Sequence, residues 1–269
     1  MTASALRKED IAGLPPAEIR DLIRKGLWTD RTEGLAEGYA QANLVILPQR
    51  DAFDFLLFCQ RNPKPCPVIE VTDIGSPILK SMASGADLRT DLPKYCVYQQ
   101  GERIDEVTDI TDYWRDDLVG FLLGCSFSFT GAMQKADIDL KPSSLYATNV
   151  SCVPAGRFSG PLLVTMRMVP PEDLLRVVQI TSRFPFAHGA PMHIGDPCAM
   201  GIDDLGADLN DAQYHIDRGA DDPMDVPVFW ACGCTPQSVA LESKTDFMIS
   251  HYSACCFITD KKAEEISIL

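Results

Sequence analysis

An α/β fold, a three-layer α/β/α domain with a smaller α+β domain inserted, is predicted by three observations. Short apolar runs bounded by turn residues, at 43–47 (NLVIL), 68–71 and 226–231, read as buried strands. Segments carrying helical start and stop signals separate them. The 269 residues are 46% hydrophobic and 23% charged, which is ample material for a core. Buried strands alternating with helices imply a parallel sheet covered on both faces. The alternation is clear in residues 1–136 and 222–269, whereas 137–221 reads as α+β. The chain ends are therefore expected to build one domain and the middle an insert. No internal repeat is evident.

The elements follow in order. A first helix is expected over 15–25. Pro15 or Pro16 suits its first turn, Glu18 meets the positive end of its dipole, and Arg24 and Lys25 precede Gly26. After the strand at 43–47, a helix over 50–60 is expected to turn Phe53, Leu56 and Leu57 inward. Segments 95–99 and 103–107, split by Gly101, predict a strand pair. Residues 116–134 predict a helix in which Gly120 and Gly124 allow close packing. A strand at 161–168 (PLLVTMRM) runs into Pro170 and Pro171, which open a helix with Glu172 and Asp173 in its first turn. Thr235 is expected to cap a helix that begins at Pro236. Segments 247–250 and 256–259 predict the last strands.

Charge excludes some functions. With 24 basic and 38 acidic residues the net charge is −14, which opposes binding to nucleic acid and to anionic membranes. A locally positive pocket can still hold a small carboxylate. The apolar run at 118–129 is too short and too rich in Gly and Ser to span a bilayer. Residues 1–10 lack the apolar core of a secretory signal, which points to a cytoplasmic chain. Ten cysteines without a CxxC pair then read as reduced core residues. The GxGxxG, GxxxxGK, GxSxG and HExxH motifs are all absent.

Four segments could carry chemistry. The first is 183–197, RFPFAHGAPMHIGDP. Arg183 suits a carboxylate, His188 and His193 suit proton transfer, and Asp196 could orient one of them. The same stretch could instead be a stiffened connection, or His188, His193 and an acid could take a divalent metal. The second is 124–129, GCSFSF, where Ser126 and Ser128 could donate to a ligand carboxylate, and Cys125 needs a lowered pKa to be a nucleophile. The third is 227–237, PVFWACGCTPQ, with Thr235 and Gln237 facing the crevice at a strand end. Its Cys232 and Cys234 form a CxC that could bind metal or simply be buried. The fourth is His251, which stands alone and reads as a satisfied structural group. The acidic run at 203–225 reads as a solvated surface.

Taken together, the stretches GLAEGYAQANLVILP (34–48), GFLLGCSFSF (120–129), PAGRFSGPLLVTMR (154–167), ITSRFPFAHGAPMHIGDP (180–197), GIDDL (201–205) and PVFWACGCTPQ (227–237) resemble a family of hydro-lyases similar to the catalytic region of mitochondrial D-glutamate cyclase. The tail at 249–260, ISHYSACCFITD, matches more loosely. The resemblance implies a two-domain α/β enzyme that eliminates water from a small amino or hydroxy acid without an organic cofactor, as when D-glutamate closes to 5-oxo-D-proline. It allows a homo-oligomer. It implies proton transfer by His188 and His193, oriented by Asp196 or Asp203. Arg183 and Arg167 would anchor carboxylates, helped by Ser126, Ser128, Asn149, Thr235 and Gln237. Thr130 stands where family members commonly carry Glu, Ala147 where they commonly carry Arg, and Ser253 and Ala254 replace the usual Pro-Gly, which leaves open a non-catalytic binder of a small acid or a metal-dependent hydrolase using His188, His193 and a nearby acid.

Overall fold

The structure is a computed structural model that describes residues 6–138, 141, 143–206, 209 and 224–268. Most of the acidic run at 203–225 lies outside the described residues. The elements are α1 (Lys8–Ile11), α2 (Pro16–Arg24), β1 (Tyr39–Pro48), α3 (Gln49–Arg61), β2 (Val68–Val71), β3 (Tyr95–Gln99), β4 (Glu102–Val107), β5 (Leu118–Gly124), α4 (Phe127–Lys135), β6 (Ser144–Ser151), β7 (Pro161–Val169), α5 (Leu174–Ser182), β8 (His193–Ile194), β9 (Val226–Ala231), α6 (Cys234–Glu242), β10 (Met248–His251) and β11 (Phe257–Lys262).

The fold is mixed α/β, but its sheets are antiparallel. One runs β2-β5-β1-β10-β3-β4, with β11 also on β1, and the other runs β6-β7-β9-β8. All their strand pairings are antiparallel, which corrects the expected parallel sheet. The error has a physical source. Strand β1 sends Val45 and Leu47 into one core and Ala42, Leu44 and Ile46 into another, so both faces are buried. An antiparallel strand covered on both sides has the continuous apolar run of a parallel one.

Other expectations change in detail. Residues 116–134 are not one helix. They form the central strand β5, a turn at Cys125 and Ser126, and then α4. In α3 the buried side chains are Asp51, Phe55, Phe58 and Cys59, while Phe53 is 72% exposed and Leu56 is exposed. Gly233, not Thr235, precedes α6; Thr235 lies fully buried inside its first turn. The β3–β4 hairpin forms as expected, with Gly101 at φ 83° in its turn.

The topology contains a repeat that the sequence hides. In the first unit, Ala42 lies opposite Gly124 and Leu47 opposite Val119; in the second, Val164 lies opposite Ala231 and Val169 opposite Val226. Pro48 ends β1 and precedes α3, just as Pro170 follows β7 and precedes the turn into α5. Edge strands β2 and β8 then pair with β5 and β9 at matching levels, Glu70 opposite Leu122 and His193 opposite Phe229. Each unit ends by crossing over. Strand β6 follows α4 yet pairs with β7 of the second sheet, and β10 follows α6 yet pairs with β1 of the first.

This exchange ties the two sheets together. A single core holds Val45, Phe121, Phe55 and Phe58 of the first unit with Val164, Phe229 and Val239 of the second. Phe55 packs edge-on against Phe121 and Phe158, with ring centres 5.0 and 5.3 Å apart. Strand β9 sits in the second sheet although β10 and β11 return to the first.

Candidate active site

The two units face each other across a cavity of about 110 Å³. Equivalent features of each line it. Strand β5 ends in Cys125 and Ser126 before α4, and strand β9 ends in Cys232 and Gly233 before α6. On the neighbouring strands, Asn43 and Thr165 occupy matching levels. Two helix N-termini, each of nine residues, therefore open onto one space. The partial positive charge of the helix starts favours an anion there, despite the acidic chain.

Each helix start is held by the same device. The Ser128 hydroxyl accepts from Gln41 N–H at 3.0 Å and donates to Gln41 C=O at 3.3 Å. The Thr235 hydroxyl does the same with Leu163, at 3.0 and 3.3 Å. Ser128 and Thr235 thus fix helices to strands rather than facing a ligand. Of the serines in GCSFSF it is Ser126 that lines the cavity.

Two buried histidines, His188 and His251, line the cavity. His188, at φ 75°, places its Nδ1 2.9 Å from the Lys64 carbonyl. A carbonyl only accepts, so Nδ1 carries the proton and Nε2 keeps its lone pair. His251 is the reverse. Its Nδ1 accepts from Leu44 N–H at 3.1 Å, with Gln237 Nε2 at 2.9 Å, so the proton sits on Nε2. Burial lowers both rings to a pKa of about 4; the Lys64 carbonyl beside His188 and the Leu44 carbonyl 3.4 Å from His251 Nδ1 only partly oppose it. At neutral pH both rings are uncharged, one offering an acceptor and the other a donor.

Arg167 lies two residues along β7 from the cavity residue Thr165, on the same face of the strand. It is 7% exposed, donates to the Lys141 carbonyl, and stands 4.0 Å from Glu33 at the cavity wall. Burial lowers its pKa and Glu33 opposes that. A guanidinium this desolvated gains from an arriving carboxylate.

The other residues named from the sequence are dispersed. His193 lies on edge strand β8, its Nε2 2.8 Å from the Asp196 carbonyl and its ring beside Phe229. The Asp196 carboxylate caps the turn Pro197–Met200 through Cys198 N–H. Asp203 and Asn149 are exposed, and Arg183 is exposed beyond α5 in a separate groove with Lys135 and Glu264. Gln237 holds His251. Thr130 has a buried hydroxyl without a hydrogen-bond partner, and Ala147 is exposed on β6. Ser253 and Ala254 line the cavity, Ala254 at φ 60°. Among the described residues no three His, Cys, Asp or Glu side chains converge as metal ligands. His251, read from the sequence as a lone satisfied structural group, is hydrogen-bonded as that reading expects and also lines the cavity.

The same segments carry the family signal. A model of the D-glutamate cyclase family matches residues 119–260, which span β5 through β11 and both helix starts. Full-length relatives include proteins named "Putative hydro-lyase" from Bacillus licheniformis, 51% identical with 94% of this chain and 97% of that protein covered. A relative from Geobacillus kaustophilus is 51% identical over 96% and 98%, and one from Bacillus subtilis is 50% identical over 95% and 100%. A nitrogen repressor-like protein from Methanococcus jannaschii superposes with a TM-score of only 0.38 at 10% identity over 86% of this chain and 90% of that one, too remote to inform the fold or the chemistry. With a family match over more than half its length and half-identical relatives along nearly all of it, this chain belongs to the D-glutamate cyclase family.

Proposed function

We propose that this protein is a hydro-lyase that closes D-glutamate to 5-oxo-D-proline, with His188 and His251 as the proton-handling pair. The observation that carries the reading is that two buried histidines line one cavity, one with Nδ1 against the Lys64 carbonyl and the other with Nδ1 against the Leu44 N–H. Family membership supports the reaction class.

The chemistry asks for what the cavity offers. The substrate ammonium must lose two protons to become the lactam N–H, and the departing γ-carboxylate oxygen must gain two to leave as water. The His188 Nε2 lone pair takes a proton from nitrogen. The His251 Nε2–H donates to the γ-carboxylate oxygen and steadies the tetrahedral intermediate. The protons that leave nitrogen equal those that join oxygen, so turnover is proton-neutral and the rings return to their starting tautomers. The substrate arrives as a net monoanion, two carboxylates against one ammonium, and a carboxylate set beside His188 raises the pKa of the ring and makes it a better base. Arg167 and the positive end of the α4 dipole anchor the carboxylates, and Ser126 adds a donor. No step uses an organic cofactor.

A proton-NMR time course with D-glutamate, L-glutamate and 5-oxo-D-proline tests the reading. Stereospecific interconversion of D-glutamate and its lactam is expected. A folded protein that leaves all three unchanged refutes the D-glutamate assignment.

A further inference from the structure

Four cysteines, Cys125, Cys232, Cys234 and Cys256, line the same cavity. Two of them are built into one turn. In Cys232-Gly233-Cys234 both thiols face the same cavity, and Cys234 N–H donates to Cys232 Sγ at 3.4 Å. The turn has no room to relax toward Asn43, because a Cβ on Gly233 would lie 2.0 Å from Asn43 Nδ2. Cys234 is half-buried and opens α6, whereas Cys232 is 8% exposed behind it.

We propose that Cys232 and Cys234 form an oxidisable dithiol that accepts low-molecular-weight disulfides and closes to an intramolecular disulfide in the wall of the cavity. Cys234 is the attacking sulfur. It is the more exposed of the pair, and its pairing with the Cys232 thiol holds its own thiol below the usual range. The same pairing and burial push the Cys232 thiol up, so it stays protonated until needed. The Cys234 thiolate attacks one sulfur of oxidised glutathione, the S–S bond breaks, and one glutathione leaves and takes a proton from solvent. Cys232 then loses its proton, attacks Cys234 Sγ of the mixed disulfide, and expels the second glutathione. Two protein thiols are oxidised and one disulfide is reduced to two thiols.

Exposure alone would select a different residue. Cys198 is exposed, but the carboxylate of Asp196 beside it pushes its thiol up and slows it. Cys125 and Cys256 lie with their sulfurs 3.6 Å apart, but both are buried, and burial with their mutual hydrogen bond keeps the Cys256 thiol well above the usual range.

Peptide mapping after treatment of the wild-type protein with oxidised glutathione decides the matter. The tryptic peptide 219–244 contains Cys232 and Cys234 and no other cysteine. It is expected to become lighter by two hydrogens, with Cys198 still reduced at that time. Cys232→Ser should stop at glutathione on Cys234, and Cys234→Ser should leave both positions unmodified. Glutathione on Cys198 with peptide 219–244 still reduced, or a Cys125–Cys256 link formed first, overturns the proposal. The map reads no activity, so it stands or falls separately from the lyase reading. Where that reading also holds, the oxidised protein loses at least tenfold in turnover, and excess dithiothreitol restores it.

Discussion

Gly124 couples the fold to the site more tightly than any other glycine, and Gly124→Ala tests that coupling. A Cβ at this position would lie 1.5 Å from the Phe186 carbonyl oxygen and 2.7 Å from its carbon. Real Cβ atoms essentially never come closer than 3.0 Å, so the chain at Phe186 must retreat by the difference, about 1.5 Å. The obstacle is backbone and cannot rotate away. His188 is two residues along, and its ring is set by the Lys64 carbonyl. Overpacking of this kind costs about 3 kcal/mol, the upper part of the usual range. For a chain of this size that lowers Tm by about 6–12 °C. A shift above 1 Å at a proton-transfer group costs on the order of 100-fold in rate. Thermal unfolding and the NMR assay on Gly124→Ala measure both losses. Gly13→Ala is the control, since nothing lies within 4 Å of its added methyl. A Gly124→Ala protein with unchanged Tm and turnover would refute the argument.

Further outcomes follow from the same geometry. Ser128→Ala and Thr235→Val each strand one buried backbone N–H, of Gln41 and Leu163, and should each cost about 1–3 kcal/mol in chemical denaturation; a large difference between them would count against the two units being equivalent. His188 and His251 have folded-state pKa values of about 4 against an ordinary 6.5, so the unfolded chain binds more protons between these values. Their contribution is full above pH 6.5 and is lost as pH falls toward 4, by at most about 3 kcal/mol per ring. Melting curves from pH 7.5 to 4.5 should show this slope, and replacing both rings with Asn should flatten it; an unchanged slope would contradict the buried-neutral assignment. Gln237→Leu should lower kcat more than it raises KM, because Gln237 touches His251 and not the cavity; an effect confined to KM would make it a substrate contact instead.

The elements were largely legible in the sequence, because Pro, Gly and charge mark their ends. Pro16 opens α2, and Pro48 and Pro170 close two strands. The direction of the sheet was not legible. Strands β1 and β5 are buried on both faces, and period-2 alternation vanishes when both sides are core. The same loss joined 118–124 to 127–135 as one apolar helix. In α3 the error was one of phase, since Phe53 is as apolar as Phe55 yet points outward.

The site was half legible. Ser126, His188 and Arg167 stand out by residue type within matched motifs, whereas His193 and Arg183 share a motif with His188 but point elsewhere. A turn in the left-handed region at His188 separates the ring from its sequence neighbours. His251 gave no local signal of a site, because its place in the cavity wall comes from β10 crossing to the first sheet. The repeat left only sparse traces, Pro48 with Pro170, Cys125 with Cys232, and Ser128 with Thr235.

The most direct test compares His188→Ala with His193→Ala in the NMR assay with D-glutamate, each shown to be folded by thermal melting. The site described here predicts that His188→Ala loses at least 100-fold in turnover, while His193→Ala, on its edge strand outside the cavity, keeps activity within about threefold. An active His188→Ala protein beside an inactive His193→Ala protein would contradict the account and move the chemistry to the edge of the second sheet.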